Sequence, residues 1–149
     1  MSTSTSTPSY HHGDLHRALL EAAVEAVVSG GADSVSLREV ARRAGVSPAA
    51  PYRHFRNRAA LLAAVAATGF DGFRQALEAA RNACAPDDQL AAMAHAYVRF
   101  ALDNPQLFRL MFSAQLEMAS HPRLREAADA AYAPLARAAA REDSIAPEE

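Results

Sequence analysis

Residues 36–61 read SLREVARRAGVSPAAPYRHFRNRAAL, and the order of small, apolar and basic side chains along them decides the fold. Leu37, Val40, Ala41 and Ala44 stand at i, i+3, i+4 and i+7, one apolar stripe of an α-helix. Ser36 occupies the N-cap position and Glu39 follows three residues later, the Ser-x-x-Glu spacing in which each side chain satisfies the other's orphan amide. Gly45 comes directly after the last periodic residue, where a left-handed backbone is needed and glycine alone adopts it without steric cost. A helix therefore starts at Ser36, stops at Gly45 and hands the chain to a tight turn.

Val46 is expected to pack under that turn, Ser47 to cap a second short helix, and Pro48 to take its first position, where the missing amide is no loss. This second helix runs from Pro48 to His54, and Phe55 anchors it in the core. Pro51, four residues in, removes an intrahelical donor and predicts a tight, non-ideal start. Ala49 and Ala50 leave that face without bulk, so backbone can approach a DNA major groove and methyl groups can meet thymine methyls. Charge agrees: residues 36–58 hold six arginines against Glu39, a balance of +5, while the whole chain is −2. The remainder thus carries −7. A local basic surface on an acidic protein suits contact with phosphate.

The elements Leu37-Arg38-Glu39-Val40-Ala41, Ala44-Gly45-Val46-Ser47 and Tyr52-Arg53-His54-Phe55, with Arg58 and Leu61 after them, resemble the DNA-binding domain of the TetR family of bacterial one-component regulators. The resemblance extends over about residues 10–62. It implies that Ser36 and Arg38 touch the DNA backbone and a base, that Ser47, Pro48, Ala49 and Ala50 face the major groove, and that Tyr52 and His54 hold phosphates. Arg58 stands where the family usually has lysine and would clamp a further phosphate, with a forked donor in place of a point charge. Taken singly, each of these residues has an ordinary reading. Arg42, Arg43 and Arg53 can be a solvated helix face, and either Tyr52 or His54 can belong to the core.

The composition supports an all-α protein: 37 of 149 residues are alanine, lysine and tryptophan are absent, and β-branched alternation is scarce. The expected architecture is an N-terminal three-helix helix-turn-helix head over residues 10–57 and a small antiparallel helical body over 58–140. Residues 1–9 and 141–149 are expected to be disordered tails. The first helix begins after Gly13, sends Leu15, Leu19, Ala22, Ala26 and Val27 inward, and ends at Gly30-Gly31. Asn57 caps a long helix through Leu62, Val65, Ala66, Phe73 and Leu77 to Arg81. After the turn at Ala85-Pro86-Asp87-Asp88, another helix carries Leu90, Met93, Ala94, Tyr97 and Ala101 on one face. Asp103-Asn104-Pro105 breaks it. A further helix is expected to span Leu107 to Met118, and a last one Arg123 to about Ala140.

The phrases Tyr97-Val98-Arg99-Phe100-Ala101-Leu102-Asp103-Asn104-Pro105 and Phe108-Arg109-Leu110-Met111-Phe112 are similar to the C-terminal domain of a TetR subgroup. That similarity implies a ligand-responsive repressor, a homodimer reading a palindromic operator in double-stranded DNA. A small apolar effector would sit among Tyr97, Phe100, Phe108, Met111, Phe112, Gln115 and Met118, with His95 a further candidate. Core packing explains the same Met and Phe spacing without any ligand. The subgroup continues with a helix pair carrying a Trp-His-Gly signature that builds the dimer interface. This sequence has no tryptophan and stops at Glu149, so an exposed apolar patch is expected where that pair would dock.

Other functions find little support. No Gly-x-Ser-x-Gly elbow, phosphate loop or metal-spaced cluster occurs, so neither an enzyme nor a cofactor or metal site is expected. His11, His12 and His16 flank a helix entry without a carboxylate or thiol at ligand spacing; the lead-in Tyr10-His11-His12-Gly13-Asp14-Leu15 instead resembles one TetR subgroup. Cys84, the single cysteine, excludes an intrachain disulfide. With no secretory signal and no apolar run of ~18 residues, a cytoplasmic protein without membrane contact is expected. An interaction protein that keeps this fold but has lost operator reading is the alternative.

Overall fold

The computed structural model describes residues 12–143, and among them every regular element is helical. Six α-helices follow in order: α1 His12–Gly30, α2 Leu37–Ala44, α3 Arg58–Asn82, α4 Gln89–Asp103, α5 Pro105–Met111 and α6 Pro122–Asp143. Short 3-10 turns at Ala32–Ser34, Ala50–Arg53, Pro86–Asp88 and Met118–Ser120 link them. Tyr10, His11 and the expected tail at 1–9 lie outside the described residues. Of the tail expected at 141–149, residues 141–143 close α6, and the rest lies outside the described residues.

The organising element is α3, which at ~1.5 Å per residue runs for roughly 37 Å. Asn57 starts it by accepting from the Ala60 amide at 2.9 Å. Its first half buries Leu61, Leu62, Val65 and Ala66, in one apolar core with Leu19, Ala23, Ala26 and Val27 of α1 and with Val35, Leu37, Val40 and Phe55. Its second half buries Phe70, Phe73 and Leu77, and packs mainly on α6 and α4. At Gly69 the side chain of α5's Met111 comes so near that a Cβ would lie 2.7 Å from its sulfur. Glycine is thus what lets α5 approach α3.

Four expectations need correction. Pro48 to His54 is no α-helix but a 3-10 turn over Ala50–Arg53, capped by Ala49 rather than Ser47. Pro51 is the cause. Without its amide the segment closes i→i+3 bonds, from the amides of Ala50, Tyr52 and His54 to the carbonyls of Ser47, Ala49 and Pro51, and one i→i+4 bond, from Phe55 to Pro51, ends it. Second, α5 ends at Met111 instead of Met118, because Phe112 leaves helical geometry (φ −104°, ψ 14°) and Ser113 Oγ accepts the Gln115 amide in a local turn. Third, α4 buries Met93 and half-buries Leu90, Ala96, Tyr97 and Phe100, while Ala94 faces solvent. Fourth, the Ser36–Glu39 box is half made: Ser36 Oγ accepts the Glu39 amide at 3.1 Å, but the Glu39 carboxylate turns to Arg42 and Arg43.

Candidate nucleic-acid interface

The N-terminus of α2 and the turn after it meet on one side of the head. Ser36, in extended backbone, caps α2, and Gly45 ends it in the left-handed region at φ 69°. Its amide bonds the Arg42 carbonyl and that of Val46 the Ala41 carbonyl, which folds the turn back onto α2. Ser36, Arg38, Glu39, Arg42, Val46 and Pro48 therefore line one open groove of about 410 Å³. Beyond it Ser47, Ala49 and Tyr52 are exposed, Ala50 is half-buried, and Pro51 and Phe55 are buried beneath. Tyr52, in the 3-10 turn, is 62% exposed.

The six arginines of this surface are not equivalent. Glu39 takes a forked pair of bonds from Arg42, at 2.8 and 2.7 Å, and a third from Arg43 at 2.9 Å. Those hydrogen bonds, Arg42's first, hold its carboxyl down at about 2. Arg58 donates to two main-chain oxygens of the α1–α2 connection, Val35 at 2.8 Å and Ala32 at 2.7 Å. Among the described residues, Arg38, Arg53 and Arg56 have no ion-pair partner, and all three are exposed. His54 is half-buried, its ring edge-on to His16 of α1 at 5.5 Å. Tyr52 and His54 thus point differently: one into solvent, the other against α1.

The seven side chains expected around an effector do not converge on one space. Phe73 forms a hub, with Tyr97 at 5.0 Å and Phe100 at 5.3 Å, and Phe108 stacks between Tyr97 at 5.8 Å and Phe112 at 4.6 Å. Met111 is buried under Gly69, Met118 is half-buried in its 3-10 turn, and Gln115 lines a different cleft, beside Arg109. Tyr132 of α6 joins the rings at 6.0 Å from Phe73, and burial, then the Tyr97 phenol, pushes its hydroxyl up to about 12. His95 is exposed, as are Val98 and Leu102 on the outer side of α4.

Two family models match the sequence: bacterial regulatory proteins of the tetR family over residues 19–65, and the tetracyclin repressor-like C-terminal domain over residues 90–149. A protein of unknown function from Rhodococcus sp. RHA1 is 38% identical with a TM-score of 0.81, the match covering 95% of this chain and 76% of that one. A bacterial regulatory protein in the tetR family from Rhodococcus RHA1 is 25% identical with a TM-score of 0.61, over 91% of this chain and 74% of its own. A TetR family transcription regulator from Marinobacter aquaeolei VT8 is 26% identical with a TM-score of 0.64, over 87% and 69%. No curated protein matches the sequence.

The chain belongs to the TetR family. As a TetR regulator it is a DNA-binding transcription factor rather than an enzyme, and the ledge within 36–58 falls inside residues 19–65, matched by the tetR-family model. Among the described residues no helix is long and apolar enough to cross a membrane. Two features of this TetR head escaped the sequence reading. Glu39 as counter-ion for Arg42 and Arg43 had a local signal, its i+3 and i+4 spacing to them. The Arg58 contact with Ala32 and Val35 had none, because it joins residues more than twenty apart. Tyr132, which completes the ring cluster, stands in an alanine-rich helix where one aromatic residue gives no pattern.

Proposed function

We propose that this regulator is a ligand-responsive repressor whose head is residues 10–57 and whose body is residues 58–140. In this reading Ser36 and Arg38 contact DNA at the α2 N-terminus, Ser47, Pro48, Ala49 and Ala50 lie in the major groove, and Tyr52, His54 and Arg58 hold phosphates. The observation that carries it is the ledge itself, where Ser36, Pro48 and the unpaired Arg38 line one groove, Ser47, Ala49 and Tyr52 stand exposed beyond it, and Phe55 is buried. The small residues fit close backbone approach to base edges, and the arginines supply the salt-dependent affinity. Since Arg58 spends two donors on the chain's own carbonyls, its phosphate contact uses what the guanidinium has left.

A palindrome reader sets two heads about 34 Å apart. The exposed Val98 and Leu102 of α4 offer apolar surface for pairing with a second copy. An apolar effector would act on the Tyr97, Phe100, Phe108 and Phe112 rings, where Phe112 is 45% exposed, and favour a body form that spaces the heads wrongly. The test is a mobility shift of genomic fragments over a salt series, with sedimentation of the same samples. Retention that weakens steeply with salt, and is lost with Tyr52→Ala or Arg38→Ala, supports the reading. No retention at low salt would favour an interaction protein that has lost operator reading.

A further inference from the structure

The end of α1, the 3-10 turn at Ala32–Ser34 and α5 enclose a cleft of about 280 Å³, apart from both the DNA-facing ledge and the aromatic cluster. Head and body each supply a wall. On one side stand Gly30, which brings the carbonyl end of α1, and Asp33; on the other stand Gln106 and Arg109, with Ser113 and Gln115 beyond them. The walls come close because Gly31 takes a positive φ of 77° and carries no side chain. A Cβ there would lie 3.2 Å from Gln106 Oε1, an oxygen that lines the cleft.

The chemistry of this lining is specific. Leu110 is its one large apolar side chain, which does not suit an apolar effector. Asp33 and Arg109 carry opposite charges on opposite walls, and among the described residues neither has an ion-pair or side-chain hydrogen-bond partner. The α1 carbonyl end adds partial negative charge beside Asp33. At ~30 Å³ per water the space holds about nine waters, the size of a molecule with roughly as many heavy atoms.

We propose that this cleft binds a small zwitterion of amino-acid size, its carboxylate forked on the Arg109 guanidinium and its ammonium held by Asp33 and the carbonyl end of α1. Gln106 and Gln115 supply amide donors and acceptors for the ligand's remaining polar atoms. The site has a direct line to the head. Ala32, on the cleft wall, offers its carbonyl to Arg58, and Val35, three residues on, offers another, immediately before the Ser36 cap of α2. A ligand gripping Asp33 therefore acts on the segment that positions α2. That consequence for DNA, though not the binding itself, rests on the function proposed above.

Calorimetric titration of the full chain with the twenty protein amino acids tests this, with propionate and propylamine as singly charged controls. The expected result is saturable binding of one or a few amino acids, weakened at least tenfold by Arg109→Gln and by Asp33→Asn, with both controls weaker by a similar factor. Both substitutions are at exposed positions, and matching circular dichroism spectra establish that the variants fold. Absence of binding by every amino acid, binding unchanged in both variants, or equal binding of a singly charged control overturns the proposal. DNA retention by ligand-free protein from the same preparation is measured alongside, so failure of the cleft and failure of the DNA reading give separate results.

Discussion

Arg58 Nε donates to the carbonyl oxygen of Val35 at 2.8 Å, tying the first turn of α3 to the residue just before the α2 cap. With the second bond to Ala32, one guanidinium closes the loop that leads into the DNA-facing ledge. Arg58→Ala leaves two carbonyls without this donor and is expected to cost about 1–2 kcal/mol, read as a lower urea midpoint. Arg58→Lys keeps the charge but cannot fork, so it should recover part of the salt dependence of DNA retention and little of the stability.

Glu39 gives a pH-dependent prediction. Its carboxyl lies at about 2 in the folded protein against an ordinary 4.5, so its pairing with Arg42 and Arg43 is fully present above 4.5 and is lost as pH falls toward 2. The melting temperature of Glu39→Gln should therefore lie below that of the parent at neutral pH and converge with it on acidification through that window. At neutral pH the substitution also frees two guanidiniums. Affinity for random-sequence DNA should rise and its salt dependence steepen, which fluorescence anisotropy over a salt series checks.

Gly69→Ala sets two effects against each other. Alanine gains about 1 kcal/mol in helix propensity, but its Cβ would lie 2.7 Å from the Met111 sulfur and 3.2 Å from Leu107 Cδ1, both on buried α5 residues. Overpacking of this kind costs about 1–3 kcal/mol. A net loss of about 1 kcal/mol is expected in chemical denaturation, and a gain would show that α5 can retreat from α3.

Tyr132 is expected to ionise at about 12 in an ultraviolet titration, a step that Tyr132→Phe removes. Because the folded value is raised, its contribution to stability is complete below pH 10 and declines as pH climbs toward 12. The difference between the melts of parent and Tyr132→Phe should stay constant below pH 10 and shift against the parent as pH climbs above it.

Local signals carried most of the helical framework into the sequence. Ser36, Gly45 and Asn57 are caps whose chemistry acts over three or four residues, and each sits in the structure where spacing put it. The buried stripe of α3 was legible for the same reason, since its period is set by the helix itself. What failed was decided by competition or distance. Pro51 tightened the turn beyond what a cap and a first-position proline suggested, and Phe112-Ser113 ended α5 early by a side-chain bond that no periodicity encodes. At the candidate site, the Ser36 cap and the Gly45 turn that frame the groove were legible from spacing. The internal bonds of Arg58 and the turn of His54 toward His16 came from tertiary packing.

The 3-10 turn around Pro51 has a thermodynamic consequence. Pro51 has no amide to offer the Ser47 carbonyl, and buried Phe55, whose amide bonds the Pro51 carbonyl at 2.9 Å, holds the far end of the segment. A segment already held in its final shape has little conformational entropy to surrender on docking. The heat-capacity change of DNA binding is then expected to report surface taken from water rather than coupled folding.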